Sequence, residues 1–110
     1  MATNAEVRRR FFRHFWKHLR IVWPIVSGLV AFQLALGAVI GFLERWSVSE
    51  SIYFTFVTAL TVGYGDLAPK RISARMIALT IAFSGILLTG LVAALGVRSL
   101  QEATKDEGIE

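Results

Sequence analysis

Cysteine is absent from the 110 residues, which excludes disulfides, thiolate metal sites and thiol nucleophiles at once. Proline occurs only at Pro24 and Pro69, the latter in the turn Asp66-Leu67-Ala68-Pro69 that sends the chain back outward. Charge is missing from two long stretches: Ile21 to Leu43 is a run of 23 uncharged residues, and Met76 to Val97 is a run of 22. At 1.5 Å per residue these make helices about 34 and 33 Å long, enough for a hydrocarbon layer of roughly 30 Å. A soluble core could bury such helices, but the rest of the chain is too short to surround two of them. Paired carboxylates, a serine-histidine arrangement and a phosphate-binding loop are also lacking, so the chain reads as a membrane protein and not as an enzyme. The first run follows a basic segment, exceeds 20 residues and has no small-residue cleavage site, which argues against a signal peptide.

The charges that are present lie at the ends and between the runs. Of 12 basic residues, Arg8, Arg9, Arg10, Arg13, Lys17 and Arg20 precede the first run and Arg98 and Lys105 follow the second. Arg45, Lys70, Arg71 and Arg75 lie between them. The positive-inside bias then places both termini in the cytoplasm, in a multi-pass protein of the cell membrane. Met1 to Glu6 reads as disordered. Residues 1–20 form a cytoplasmic segment whose Val7 to Arg20 stretch reads as a basic amphipathic helix at the interface. There Phe11, Phe12, Phe15, Trp16 and Leu19 alternate with cations, and the partner is anionic lipid. Nucleic acid would suit the charge but not the aromatic spacing or the adjoining span. His14 and His18 stand four apart, a spacing that can bind metal, but no carboxylate or third ligand lies near them in sequence, so they read as exposed interfacial histidines.

Within the first span (21–43), Pro24 falls in the opening turn, where a missing N–H costs least, and Trp23 suits the headgroup level. Gly28, Ala31, Ala35 and Gly37 favour close helix packing, and Gln33 is placed for a bond between helices. Ser47 and Glu50 have the spacing of a capping box, which starts a helix over 48–60. The uncharged block Ser51 to Gly65 is only 15 residues long, too short to cross, and reads as re-entrant. Non-helical backbone at membrane depth must be walled by protein or line water, and one chain with two spans cannot build that wall. Oligomerisation follows.

The run Thr61-Val62-Gly63-Tyr64-Gly65-Asp66 places glycines at alternate positions. Glycine accepts the positive φ that lets successive carbonyls face one side of an extended segment, a cation site made of backbone. This string, together with the spans around it from Ile21 to Val97, resembles the potassium-channel selectivity-filter family, in its bacterial-type two-transmembrane pore form. The resemblance implies an all-α membrane protein, with two transmembrane helices (21–43 and 76–97) flanking a re-entrant pore helix (48–60) and a filter strand (61–65), assembled as a homotetramer. Residues 98–110 would be a cytoplasmic tail, an extension of the inner helix that frays.

By that resemblance potassium ions are held by the carbonyls of Thr61, Val62, Gly63 and Tyr64, with the Thr61 hydroxyl as an innermost ring. Val62 and Tyr64 side chains point away into packing. Gly65, Asp66, Tyr53 and Phe54 shape or brace the filter, Tyr53 donating to Asp66. The carboxyl end of the pore helix, with roughly half an electronic charge, faces the axis. Gly85 matches the hinge glycine of the inner helix, although a packing role is the alternative, and Ile86, Thr89, Ala93 and Val97 face the pore, Val97 as an apolar gate. The chain departs from many relatives at Leu60, Val57 and Phe54, where a second threonine, a buried glutamate and a tryptophan are frequent, so inactivation behaviour does not carry over.

The function implied is passive, potassium-selective conduction. Neither span carries gating charges, so steep intrinsic voltage dependence is not expected. The chain could also be the pore module of a larger ligand-gated channel. Potassium transporters use several such loops per chain with less complete strings, and a non-conducting membrane anchor would leave the re-entrant segment unexplained. A helical conformation over 61–65 would defeat the filter reading.

Overall fold

A computed structural model describes residues 3–105. Three helices follow one another: α1, Asn4–Glu44; α2, Val48–Ala59; and α3, Ile72–Lys105. The apolar parts of α1 and α3 are each long enough to cross a membrane. Only 28% and 17% of their most apolar stretches are buried, so these helices show apolar surface outward, as lipid or further protein would require.

Several boundaries differ from the sequence expectation. Helix α1 already includes Asn4 to Glu6, because the Thr3 hydroxyl accepts from Glu6 N at 3.2 Å and caps the first turn. Met1 and Ala2 lie outside the described residues. No break separates the basic segment from the span, since α1 runs for 41 residues, about 62 Å. Pro24 therefore lies in the helix interior, not in an opening turn, and α1 forgoes one backbone bond there. Beyond Val97, α3 continues to Lys105.

The chain forms two compact units. In the larger, Val26–Thr89, the Ser47 capping box is in place: Ser47 Oγ accepts from Glu50 N at 3.2 Å, and Glu50 Oε1 accepts from Ser47 N at 2.9 Å. Helix α1 ends in a left-handed turn at Arg45 (φ 60°), after which Trp46 N donates to Gly41 O at 2.8 Å. This is a Schellman stop with arginine where glycine is usual. The core of this unit is Ile40, Phe54, Ala59, Ala74 and Ile81. Around it, α2 is seated by small residues. Ser51 and Thr55 are buried and donate their hydroxyls back to Ser47 O (2.9 Å) and Ser51 O (2.7 Å). Their oxygens occupy notches at Gly41 and Gly37, where any added Cβ would overlap them and approach Ser51 Cβ to 2.9 Å and Thr55 Cβ to 3.1 Å. One helical turn further back, buried Gln33 Nε2 donates to Ser84 Oγ of α3 at 3.1 Å, the interhelical bond its place in the span suggested.

The second unit comprises 1–25 and 90–110, described over 3–25 and 90–105. Phe11 stacks on Phe15 at 5.8 Å between ring centroids, and Leu95, Ser99 and Ala103 are buried at successive turns of α3.

Candidate functional site

The last turn of α2 organises the segment that follows it. Leu60 N donates to Phe56 O, Thr61 N to Thr58 O, and Val62 N and Gly63 N both to Val57 O, at 2.9, 3.1, 2.9 and 3.4 Å. Four consecutive amides thus fold back on the helix end and satisfy three of its last four carbonyls, those of Phe56, Val57 and Thr58. The backbone then leaves helical geometry: Val62 to Tyr64 carry no regular secondary structure. Gly63 has φ 60° and Gly65 φ 83°, the sign that makes glycine the natural occupant. Thr61 also has φ 60°, which its type did not announce, since left-handed backbone is rare for a β-branched residue. Its hydroxyl donates to Leu60 O at 2.6 Å.

Among the described residues, no hydrogen bond ends on the carbonyl oxygens of Thr61, Val62, Gly63 or Tyr64. The amides of Thr61, Val62 and Gly63 are committed to α2, and these carbonyls are not. Val62 and Tyr64 are 47% and 71% exposed, so in the single chain their side chains are not packed.

Behind the segment, Tyr53 Oη donates to Asp66 Oδ2 at 2.9 Å, and Asp66 Oδ1 accepts from Leu67 N at 3.1 Å. One carboxylate thereby ties α2 to the chain just after Gly65. Phe54 is buried, with its ring centroid 4.9 Å from that of Trp46. The return to α3 is fastened by Lys70 N donating to Glu44 Oε1 and by Arg75 Nε donating to Pro69 O at 3.0 Å.

On α3, Ile86, Thr89, Ala93 and Val97 are all exposed. Gly85 is buried against the end of α2, where a Cβ would overlap Ala59 O and come within 2.7 Å of Ala59 C and Cα.

A polar cluster in the second unit went unforeseen. His14 Nδ1 and His18 Nε2 lie 3.2 and 2.9 Å from the same oxygen, Glu102 Oε2, and Arg98 Nε lies 3.3 Å from Glu102 Oε1. The two histidines are therefore partnered, not exposed interfacial side chains, and the missing carboxylate arrives from 84 positions away. The hydrogen bond from His18, followed by the positive charges around it, holds the Glu102 carboxyl below its usual range despite some opposing desolvation. Among the described residues no cluster is arranged to hold a metal ion.

Two long apolar helices, with a short third helix and a non-helical, acceptor-rich segment between them, are compatible with a membrane protein. The ion-channel family profile matches residues 25–102, and the chain belongs to that family. It is a channel-family protein and not an enzyme. Similar proteins include two pore potassium channel b of Oryza sativa subsp. japonica, 35% identical over 72 residues that cover 66% of this chain and 20% of the relative. TWiK family of potassium channels protein 7 of Caenorhabditis elegans is 34% identical over 65 residues, covering 59% and 12%. Potassium channel subfamily K member 4 of Mus musculus is 40% identical over 53 residues, covering 48% and 13%. The chain thus spans a fifth or less of the length of these relatives. No solved structure shows a significant match.

Proposed function

We propose that the chain forms a potassium-selective pore of the cell membrane, in which four copies surround one axis and ions pass down their gradient. The observation that carries this reading is the polarity of residues 61–64. Among the described residues their carbonyl oxygens accept no bond, while amides 60–63 are bound to α2. Free carbonyl dipoles in series are what a dehydrating potassium ion needs, since they replace its water without the grip of a carboxylate. Helix α2 acts as the pore helix, its carboxyl end adding a partial negative charge beneath the segment. Tyr53, Phe54, Gly65 and Asp66 brace it, Thr61 adds its hydroxyl, and Ile86, Thr89, Ala93 and Val97 of α3 line the inner path, with Val97 as the apolar gate. Exposure of Val62 and Tyr64 supports assembly, because these side chains find packing only against further copies.

Both termini are cytoplasmic in this reading. Arg20 lies in an apolar hollow of about 550 Å³ with Trp16, Leu19, Trp23 and Pro24, a setting that suits an anionic headgroup above acyl chains. The short coverage of the relatives also supports a second reading of wider scope, in which these residues are the pore module of a longer channel.

Purified protein in planar bilayers, under mixed potassium and sodium, tests the proposal. Unitary currents reversing near the potassium equilibrium potential and blocked by barium are expected. Reversal that follows both cations equally would overturn selectivity, and bilayers silent under every condition would favour a membrane anchor.

A further inference from the structure

The inner-helix glycine at position 85 is open to two readings, a hinge or a fitted contact. They make different demands on the structure. A hinge glycine needs room and an unencumbered backbone. A fitted glycine needs a neighbour so close that no side chain can stand there.

Gly85 is the second kind. The space its Cβ would take is occupied by the backbone of Ala59, with the carbonyl oxygen overlapped and both C and Cα at 2.7 Å. Backbone cannot rotate aside as a flexible side chain could. Nor can α3 easily recoil. The preceding residue, Ser84, is buried, accepts from Gln33 Nε2 at 3.1 Å and donates to Ile81 O at 2.8 Å, and Ile81 is fully buried. Among the described residues, by contrast, nothing lies within 4 Å of where a Cβ would stand at Gly90 or Gly96. If α3 needs glycine for bending alone, those are the positions free to supply it.

Ala59 is the last residue of α2. Two residues later comes Thr61, and amides 60–63 are bonded to the carbonyls of residues 56–58. A push on Ala59 therefore has no slack in which to dissipate before it reaches the acceptor-rich segment.

We propose that Gly85 is a positioning residue for ion selection: its contact with Ala59 sets where the pore helix ends and hence where the carbonyls of residues 61–64 stand. The inference rests on the potassium-pore reading given above. Cation discrimination by a ring of dipoles depends on their number and spacing, so displacement of this segment degrades selectivity and not merely stability.

The test compares Gly85→Ala with Gly90→Ala in the full chain, reconstituted in liposomes. Both remove a glycine from the same helix, and only the first meets a neighbour. Two quantities are read: the potassium over sodium permeability ratio from reversal potentials, and the rise in melting temperature when potassium replaces sodium. The second reports ion binding by linkage and needs no open gate. In Gly85→Ala the permeability ratio falls by up to about 100-fold, the penalty that misplacement by about 1 Å can carry, and the potassium-dependent melting shift is lost. Gly90→Ala keeps both.

Should Gly85→Ala fail to assemble, Gln33→Leu takes its place, since it releases Ser84 without adding bulk beside Ala59. It lowers the ratio by about threefold, the equivalent of one hydrogen bond. A Gly85→Ala channel (or, failing assembly, a Gln33→Leu channel) with unaltered selectivity and an unaltered potassium shift, changed in open probability alone, overturns the positioning role and restores the hinge. Wild-type protein with neither potassium current nor a potassium-specific melting shift overturns the pore reading itself, and the inference with it.

Discussion

The two compact units hold their helices together by opposite means. In Val26–Thr89 the contacts are steric and uncharged: Ser51 in the Gly41 notch, Thr55 in the Gly37 notch, Ala59 against Gly85. In the unit built from 1–25 and 90–110 the best-defined polar contact is electrostatic, two imidazoles and a guanidinium around one carboxylate. The first kind of contact cannot absorb a methyl group and is indifferent to protons. The second accommodates changes of shape and responds to pH. The steric contacts belong to the unit that also contains residues 61–66, and the titratable cluster belongs to the other.

The largest expected effect is on the notches. Gly41→Ala puts a Cβ into Ser51 and is expected to destabilise the protein by about 3 kcal/mol, the upper range for overpacking, measured as a loss of melting temperature. Ser51→Ala in the same chain should restore part of that loss by vacating the oxygen. Failure of any rescue would break the comparison, because it would mean that α2 is not seated by this fit.

Next is Gly63→Ala. Its φ of 60° imposes about 1–2 kcal/mol on any residue with a Cβ, although space around it is open within 4 Å. The cost is conformational, so potassium preference in reversal-potential measurements should collapse while the helical circular dichroism is retained.

Tyr53→Phe deletes the bond to Asp66 and should lower stability only slightly. A shift in melting temperature with little change in permeability ratio is the expected pattern, in contrast to Gly85→Ala.

The smallest effect belongs to the second unit. Glu102 is held below its ordinary carboxylate range when folded, so its contribution is complete above about pH 4.3, the unfolded value, and is lost as pH falls through the lowered one. Melting curves from pH 7 down to pH 3 should show that acid loss in the wild type and a flatter profile in Glu102→Gln. A matching acid loss in the variant would show that the cluster does not contribute to folding.

What could be read from the sequence was whatever is written in consecutive residues. The uncharged runs gave the two long helices through their length, Ser47 and Glu50 gave the start of α2 through their spacing, and the glycines at 63 and 65 marked positive φ because no other residue takes it so readily. What stayed hidden depends on opposing elements. Gly41 was not singled out, since a notch is defined by the Ser51 that fills it. The histidines looked unpartnered because Glu102 is remote in the chain. Arg45 and Thr61 adopt left-handed backbone that their side chains disfavour, imposed by the Schellman turn in one case and by the amide fold-back in the other. Pro24 fell inside a helix because the Thr3 cap lies so far upstream of the apolar run.

Thr61 shows what that last compromise implies. A β-branched residue at φ 60° stores conformational energy that glycine would release. Relaxing the position would therefore make a sturdier protein, but, on the potassium-pore reading proposed above, one stripped of the hydroxyl at the inner end of the ion path. If that reading holds, robustness and discrimination pull in different directions at this single residue, and a screen for thermal tolerance alone would select variants that conduct with less fidelity.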